Sequence, residues 1–133
     1  MQSVVVDSNV FSFIFKKDTR RELCAPDVRG KRVCLCFMSV AELKLWAIVR
    51  KWGTRRVESL AEAVRQYVVI PYDAAMSDHW AEITAHREHL GKPIACGDCW
   101  IAAAARRHDL PLVTHNPADF ADIPGLRIIT HAP

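Results

Sequence analysis

Four acidic residues, Asp7, Glu42, Asp98 and Asp119, stand where carboxylates could act together. Val4-Val5-Val6 runs straight into Asp7, Glu42 follows Ser39-Val40-Ala41, Asp98 follows Gly97, and Asp119 lies shortly after Leu112-Val113-Thr114. Carboxylates brought together without basic partners repel and raise one another's pKa unless a multivalent cation neutralises them. Hard oxygen donors from separate elements, with no matching thiolate or imidazole set, favour Mg²⁺ or Mn²⁺ over zinc. Because Mg²⁺ keeps several waters and shares phosphate oxygens with its substrate, the expected reaction is phosphodiester hydrolysis. The ion would lower the pKa of a bound water and offset charge on the phosphoryl oxygens. A second ion roughly 3.5–4 Å away would stabilise the leaving oxygen, and one-metal and two-metal arrangements are both open on sequence grounds.

Each acid also has a plain structural role to weigh. Asp7 could only end a strand, Asp98 could only cap a helix, and Glu42 in a first turn would complement the helix dipole. Asp122, three residues past Asp119, could replace or assist it. His86-x-x-His89 and Cys96-x-x-Cys99 each have the spacing of zinc ligands. The segment between the pairs is short and contains Gly91 and Pro93, and Cys99 shares a helix with Asp98, so buried thiols and surface histidines are expected instead. A redox CxxC lacks its usual context. The five cysteines, at positions 24, 34, 36, 96 and 99, are an odd count without a secretory signal, which implies reduced thiols. Cys34 and Cys36 alternate in a strand-like run, as small apolar fillers do.

The elements that must position the four acids follow from periodicity. Ser3 to Val6 has no polar break, the pattern of a central strand covered on both faces. Ser8 or Asn9 can cap a helix carrying Val10, Phe11, Ile14 and Phe15. A second strand, Arg32 to Met38, leads to a helix capped by Ser39 and stopped by Gly53. A helix from Thr54, a strand at Val68-Val69-Ile70 closed by Pro71, and a helix over Ala74 to Leu90 come next. The helix Asp98 to His108 contains Ala102 to Ala105, which implies close packing. Strands at 112–114 and 126–129 flank an irregular loop with Pro117, Pro124 and Gly125. Alternating strands and helices imply a parallel sheet covered on both faces, with every strand's carboxyl end on one edge, where ligands of open α/β sheets bind.

The chain has 133 residues, half of them hydrophobic and a quarter charged, which suits one domain over 1–133. No apolar run approaches the roughly 20 residues that span a bilayer, and the N-terminus carries no basic flank, so a soluble, cytoplasmic protein is expected. A net charge of +3 and a pI near 8.7 permit a nucleic-acid partner without requiring one. Lys16, Lys17, Arg20 and Arg21 form one basic cluster, and Arg50, Lys51, Arg55 and Arg56 form another around Gly53. Such clusters are commonly just solvated surface, but beside the carboxylate edge they would hold an RNA backbone through contacts that weaken with salt. The four tryptophans read as packing residues, with Trp52 the one placed to stack on a base.

Read together, Val4 to Phe11, Ser39 to Leu43, Pro93-Ile94 with Asp98 to Ala105, and Leu112 to Phe120 resemble the four motif blocks of PIN-domain nucleases, most closely VapC-type toxins of toxin–antitoxin pairs. The blocks keep the family's order and spacing over nearly the whole chain. The resemblance implies a three-layer α/β/α sandwich with a five-stranded parallel sheet, Mg²⁺- or Mn²⁺-dependent endoribonuclease activity, a homodimer and a cognate VapB-like antitoxin. Asp7, Glu42, Asp98 and Asp119 match the family's acids. Ser8 stands where a hydroxyl can bond to a metal ligand, and Asn116 matches the polar residue that supports the fourth acid. Cys96 and Cys99 flank Asp98 where other residues are common.

Other classes fit less well. A haloacid-dehalogenase-like phosphatase needs an Asp where Asn9 stands, a receiver domain needs a different acid and lysine pattern, and neither a Walker A loop nor a GxGxxG turn is present. The main rival is a PIN-like fold kept as a catalytically silent RNA- or protein-binding module.

Overall fold

The computed structural model describes residues 1–130; the last three residues of the expected 1–133 domain lie outside it. In chain order the elements are β1 (Ser3–Val6), α1 (Ser8–Phe15), α2 (Arg21–Val28), β2 (Arg32–Cys36), α3 (Phe37–Val49), α4 (Thr54–Arg65), β3 (Val68–Ile70), α5 (Ala74–His89), α6 (Cys96–Arg107), β4 (Leu112–Val113), a 3₁₀ turn (Pro117–Phe120) and β5 (Ile128–Ile129). All strand pairings are parallel and the sheet order is β3-β2-β1-β4-β5.

The uninterrupted Val4-Val5-Val6 run is explained by the two faces it serves. Val4 and Val6 join Val10, Phe11, Leu43 and Leu60 in the core on one side of the sheet, while Val5 joins Met76, Ile83 and Leu112 on the other. Strand β2 repeats the alternation: Cys34 and Cys36 face the second core and Leu35 the first, the thiols acting as small apolar side chains. Ala102 to Ala105 are all fully buried, because α6 packs on α5, on α3 and on the sheet at once, and only small side chains let those backbones approach. Among the described residues no helix is long and apolar enough to cross a membrane.

Several boundaries differ from the sequence reading. Helix α3 starts at Phe37, with Cys36 as N-cap, so Ser39 lies inside the first turn and Glu42 beyond it. Gly53 caps α4 rather than stopping α3; the chain leaves α3 through Lys51, which takes a φ of 54°. Helix α6 begins at Cys96 after Ala95, which places Asp98 in the first turn rather than at the cap. Helix α2 has no counterpart in the sequence reading, because Pro26 and the charged side chains of Arg21, Glu22 and Asp27 leave too few apolar residues to show a period.

Candidate active site

The site lies at the carboxyl edge of the sheet, where the strand order reverses. From β1 the chain proceeds to β2 and β3 on one side, whereas β4 lies on the other, so the crevice opens between β1 and β4. Asp7 sits there, 4% exposed. Its side chain caps α1: Oδ1 accepts from the Val10 N–H at 2.8 Å, and Oδ2 accepts from the Thr114 hydroxyl at 2.5 Å. Asp7, rather than the expected Ser8 or Asn9, is therefore the cap, and the Ser8 hydroxyl is released for another task. It donates to Glu42 Oε1 at 2.9 Å. Thr114 Oγ1 in turn accepts the Asn116 N–H at 3.0 Å, which ties the strand ends of β1 and β4 together.

The other acids arrive from three elements. Glu42 comes from α3, and Asp98 from the first turn of α6. Gly97 lets these helices meet, since a Cβ there would lie 3.1 Å from Glu42 Oε2. Asp119 is exposed on the 3₁₀ turn, its N–H bonded to the Asn116 carbonyl at 3.1 Å, so Asn116 supports it through backbone. The buried Arg87 holds the same turn from beneath. Its guanidinium donates to the carbonyls of Asp119 (3.1 Å), Ala121 (2.9 Å) and Lys92 (2.6 Å).

Electrostatically the four acids share one neighbourhood. None of them joins an ion pair among the described residues. Burial, followed by the charges of Asp119, Glu42 and Asp7, pushes the Asp98 carboxyl up to about 6. Burial also raises Asp7, against the opposing pull of its hydrogen bonds from Thr114 and Val10, and Asp119 adds to the rise. Among the described residues no three acidic, histidine or cysteine side chains converge tightly enough to enclose a metal ion. In kind the donors suit a hard cation, being all oxygen and uncommitted to arginine or lysine.

The remaining sequence candidates lie elsewhere. Asp122 has a φ of 59° and pairs with Lys92 at 3.0 Å, so it is engaged away from the other acids. The Cys99 thiol is buried against Thr84 and the Trp80 carbonyl, while Cys96 is exposed. Trp80 and Trp100 stack at 5.5 Å beside the core; Trp52 stacks with Phe15 at 6.0 Å and carries the Arg56 guanidinium 4.1 Å from its ring centroid, so it is already engaged within the chain. Of the first basic cluster, Arg20 and Arg21 pair with Asp18 and Glu22. Sequence reasoning missed Thr114 and Arg87 as parts of the site. Thr114 had a signal, a β-branched hydroxyl residue at the end of a strand beside β1, whereas Arg87 looked like any helix-surface arginine.

Known proteins resemble this chain over most of its length. The tRNA(fMet)-specific endonuclease VapC of Shigella flexneri is 27% identical, covering 96% of both chains. Ribonuclease VapC5 of Mycobacterium tuberculosis is 29% identical, covering 91% of this chain and 87% of its own. The structure of VapBC2 from Rickettsia felis, bound to a DNA fragment from its promoter, superposes with a TM-score of 0.84 at 20% identity, covering 97% of this chain and 98% of that one, which establishes the shared fold. The PIN domain family matches residues 4–126, and with the five-stranded parallel sheet carrying its acids at the carboxyl edge, this chain belongs to that family.

Proposed function

We propose that this protein is a divalent-metal-dependent endoribonuclease, the toxin of a VapBC-type pair, with Asp7, Glu42, Asp98 and Asp119 as its metal-holding acids. The reading is supported by relatives named as ribonucleases and endonucleases. The observation that carries the site is the Asp98 carboxyl, raised to about 6 within the field of three further acids and left without a cationic partner. That arrangement costs free energy unless a cation binds, and oxygen donors select Mg²⁺ or Mn²⁺. The bound ion would supply an acidified water and a counter-charge for the phosphoryl oxygens. The protein's own residues supply orientation. Both Asp7 oxygens and Glu42 Oε1 accept from neutral donors, so their remaining lone pairs are aimed without their charge being cancelled. Asp119, exposed on a turn anchored by Arg87, faces the substrate side.

An antitoxin helix is the proposed occupant of a groove of about 380 Å³ between α3 and α4. Leu43, Ala47, Ile48 and Val57 give it an apolar wall, and Lys44 and Arg65 edge it with positive charge, which suits an amphipathic helix bearing acids. A homodimer is the proposed assembly. The deciding experiment is cleavage of RNA with and without Mg²⁺: Asp7→Asn and Asp98→Asn, which remove ligand charge but not volume, abolish Mg²⁺-dependent cleavage while circular dichroism stays that of the wild type. Wild-type cleavage by either variant refutes the site.

A further inference from the structure

The two basic clusters, some 30 residues apart in sequence, meet in the structure. Stacking of Phe15 on Trp52 at 6.0 Å brings the end of α1 against the turn after α3. A cleft of about 370 Å³ opens beside this junction. Asn9, Asn116 and His115 line it on the side of the carboxylate site, and Lys16, Arg20 and Arg50 line it away from that site. The cations are not equivalent. Arg20 is neutralised by Asp18, which accepts from its backbone N–H, its Nε at 3.0 Å and its Nη2 at 2.8 Å. Lys16 and Arg50 form no ion pair among the described residues, and Arg50 instead lies over the Trp46 ring at 5.2 Å. The Lys16 ammonium is held below its ordinary value by partial burial and by the like charges of Arg50 and Arg56. Asp18 also lines the cleft, but it is engaged by Arg20, which leaves Lys16 and Arg50 as the uncompensated cations, and these favour an anion just as the carboxylates nearby favour a cation.

Resting on the nuclease reading, we propose that this cleft is a phosphate subsite for single-stranded RNA flanking the scissile bond. Lys16 and Arg50 clamp a backbone phosphate, and His115, packed edge-on against Phe13 at 5.3 Å, walls the adjoining nucleotide. Arg20 then belongs to the scaffold, since its charge is already spent on Asp18 and the Phe13 ring. The cleft lies beside the carboxylate site, so one phosphate of a strand meets Lys16 and Arg50 while a neighbouring one reaches the metal-bearing acids.

The test uses the cleavage-deficient Asp98→Asn protein in Mg²⁺ with a fluorescein-labelled single-stranded oligoribonucleotide, read by anisotropy across a KCl series. Adding Lys16→Gln or Arg50→Gln is expected to weaken binding by roughly 5- to 10-fold and to lower the salt slope by about 0.7 for each phosphate left without its cation. Arg127→Gln, an exposed residue paired with Asp109 and outside the cleft, serves as the control. Affinity and slope equal to those of Arg127→Gln, at unchanged melting temperature, overturn the subsite while leaving the nuclease reading intact. An Asp98→Asn parent that binds no RNA overturns both.

Discussion

Aspartates in two regions of this molecule meet opposite fates. On the outer surface, Asp18, Asp73 and Asp122 are each held below the ordinary carboxylate range. Arg20 does this for Asp18 and Lys92 for Asp122; for Asp73 the Met76 backbone N–H leads, followed by Arg107. At the β1–β4 edge, Asp7 and Asp98 are raised, because burial and neighbouring acids outweigh a few neutral donors. The same side chain is a satisfied anion in one place and an unsatisfied one in the other. The buried cation near the site, Arg87, sharpens the contrast: it spends its donors on three carbonyls, not on a carboxylate.

Removing Arg87 is therefore the most disruptive way to break the comparison. Arg87→Met keeps much of the apolar stem but leaves the Asp119, Ala121 and Lys92 carbonyls without their donor, at an expected cost of about 3 kcal/mol in urea unfolding. The Asp119 turn loosens, so Asp119 is no longer held beside Asp98. Mn²⁺ binding followed by calorimetry in the folded variant should weaken accordingly. Arg87→Lys replaces the fork of donors with one ammonium that cannot reach all three carbonyls, so it should recover only part of the metal affinity and of the stability. Equal affinity and stability in wild type and Arg87→Met would show that the turn needs no such anchor.

Thr114→Val has a smaller expected effect on the same contrast. The change removes the hydroxyl that donates to Asp7 Oδ2 and accepts from the Asn116 N–H, with little change in volume. A loss of about 2 kcal/mol is expected for this buried, charge-assisted pair. Asp7 should rise further, because its largest opposing hydrogen bond is gone. Wild-type stability in the valine variant would mean that Asp7 is held by its capping role alone.

Legibility in the sequence tracked how many constraints each residue obeyed. The strands were legible because a central parallel strand must be apolar on both faces, as Val4 to Val6 are. The acids were legible as positions, since strand ends in an α/β sheet share an edge, but not as a geometry, because sequence carries no distance. Helix starts at Phe37 and Cys96 were missed because neither Cys36 nor Ala95 caps with a side chain. The weakest signal was that of basic clusters. Arg20 and Lys16 look alike in sequence, and only the placement of Asp18 separates a spent charge from an available one.

The finest way to sharpen the contrast is pH, in metal-free protein. A carboxyl that titrates near 6 when folded and near 3.8 when unfolded binds more protons in the folded state between those values. Its contribution to stability is therefore greatest below about pH 4 and is lost as pH rises through 6, opposite in sign to that of Asp18, Asp73 and Asp122, whose pairs form as pH rises. Solvent reaching the half-buried Asp98 limits the effect to about 1 kcal/mol. Subtracting the unfolding free energy of Asp98→Asn from that of wild type isolates this residue, and in EDTA the difference should fall between about pH 4.5 and 6.5. Mn²⁺ should reverse the trend, because the ion competes with the proton for the same oxygens and stabilises the wild type more at about pH 7 than at about pH 5. A flat difference in EDTA would place Asp98 with the compensated aspartates of the outer surface, and the two regions would no longer be distinct.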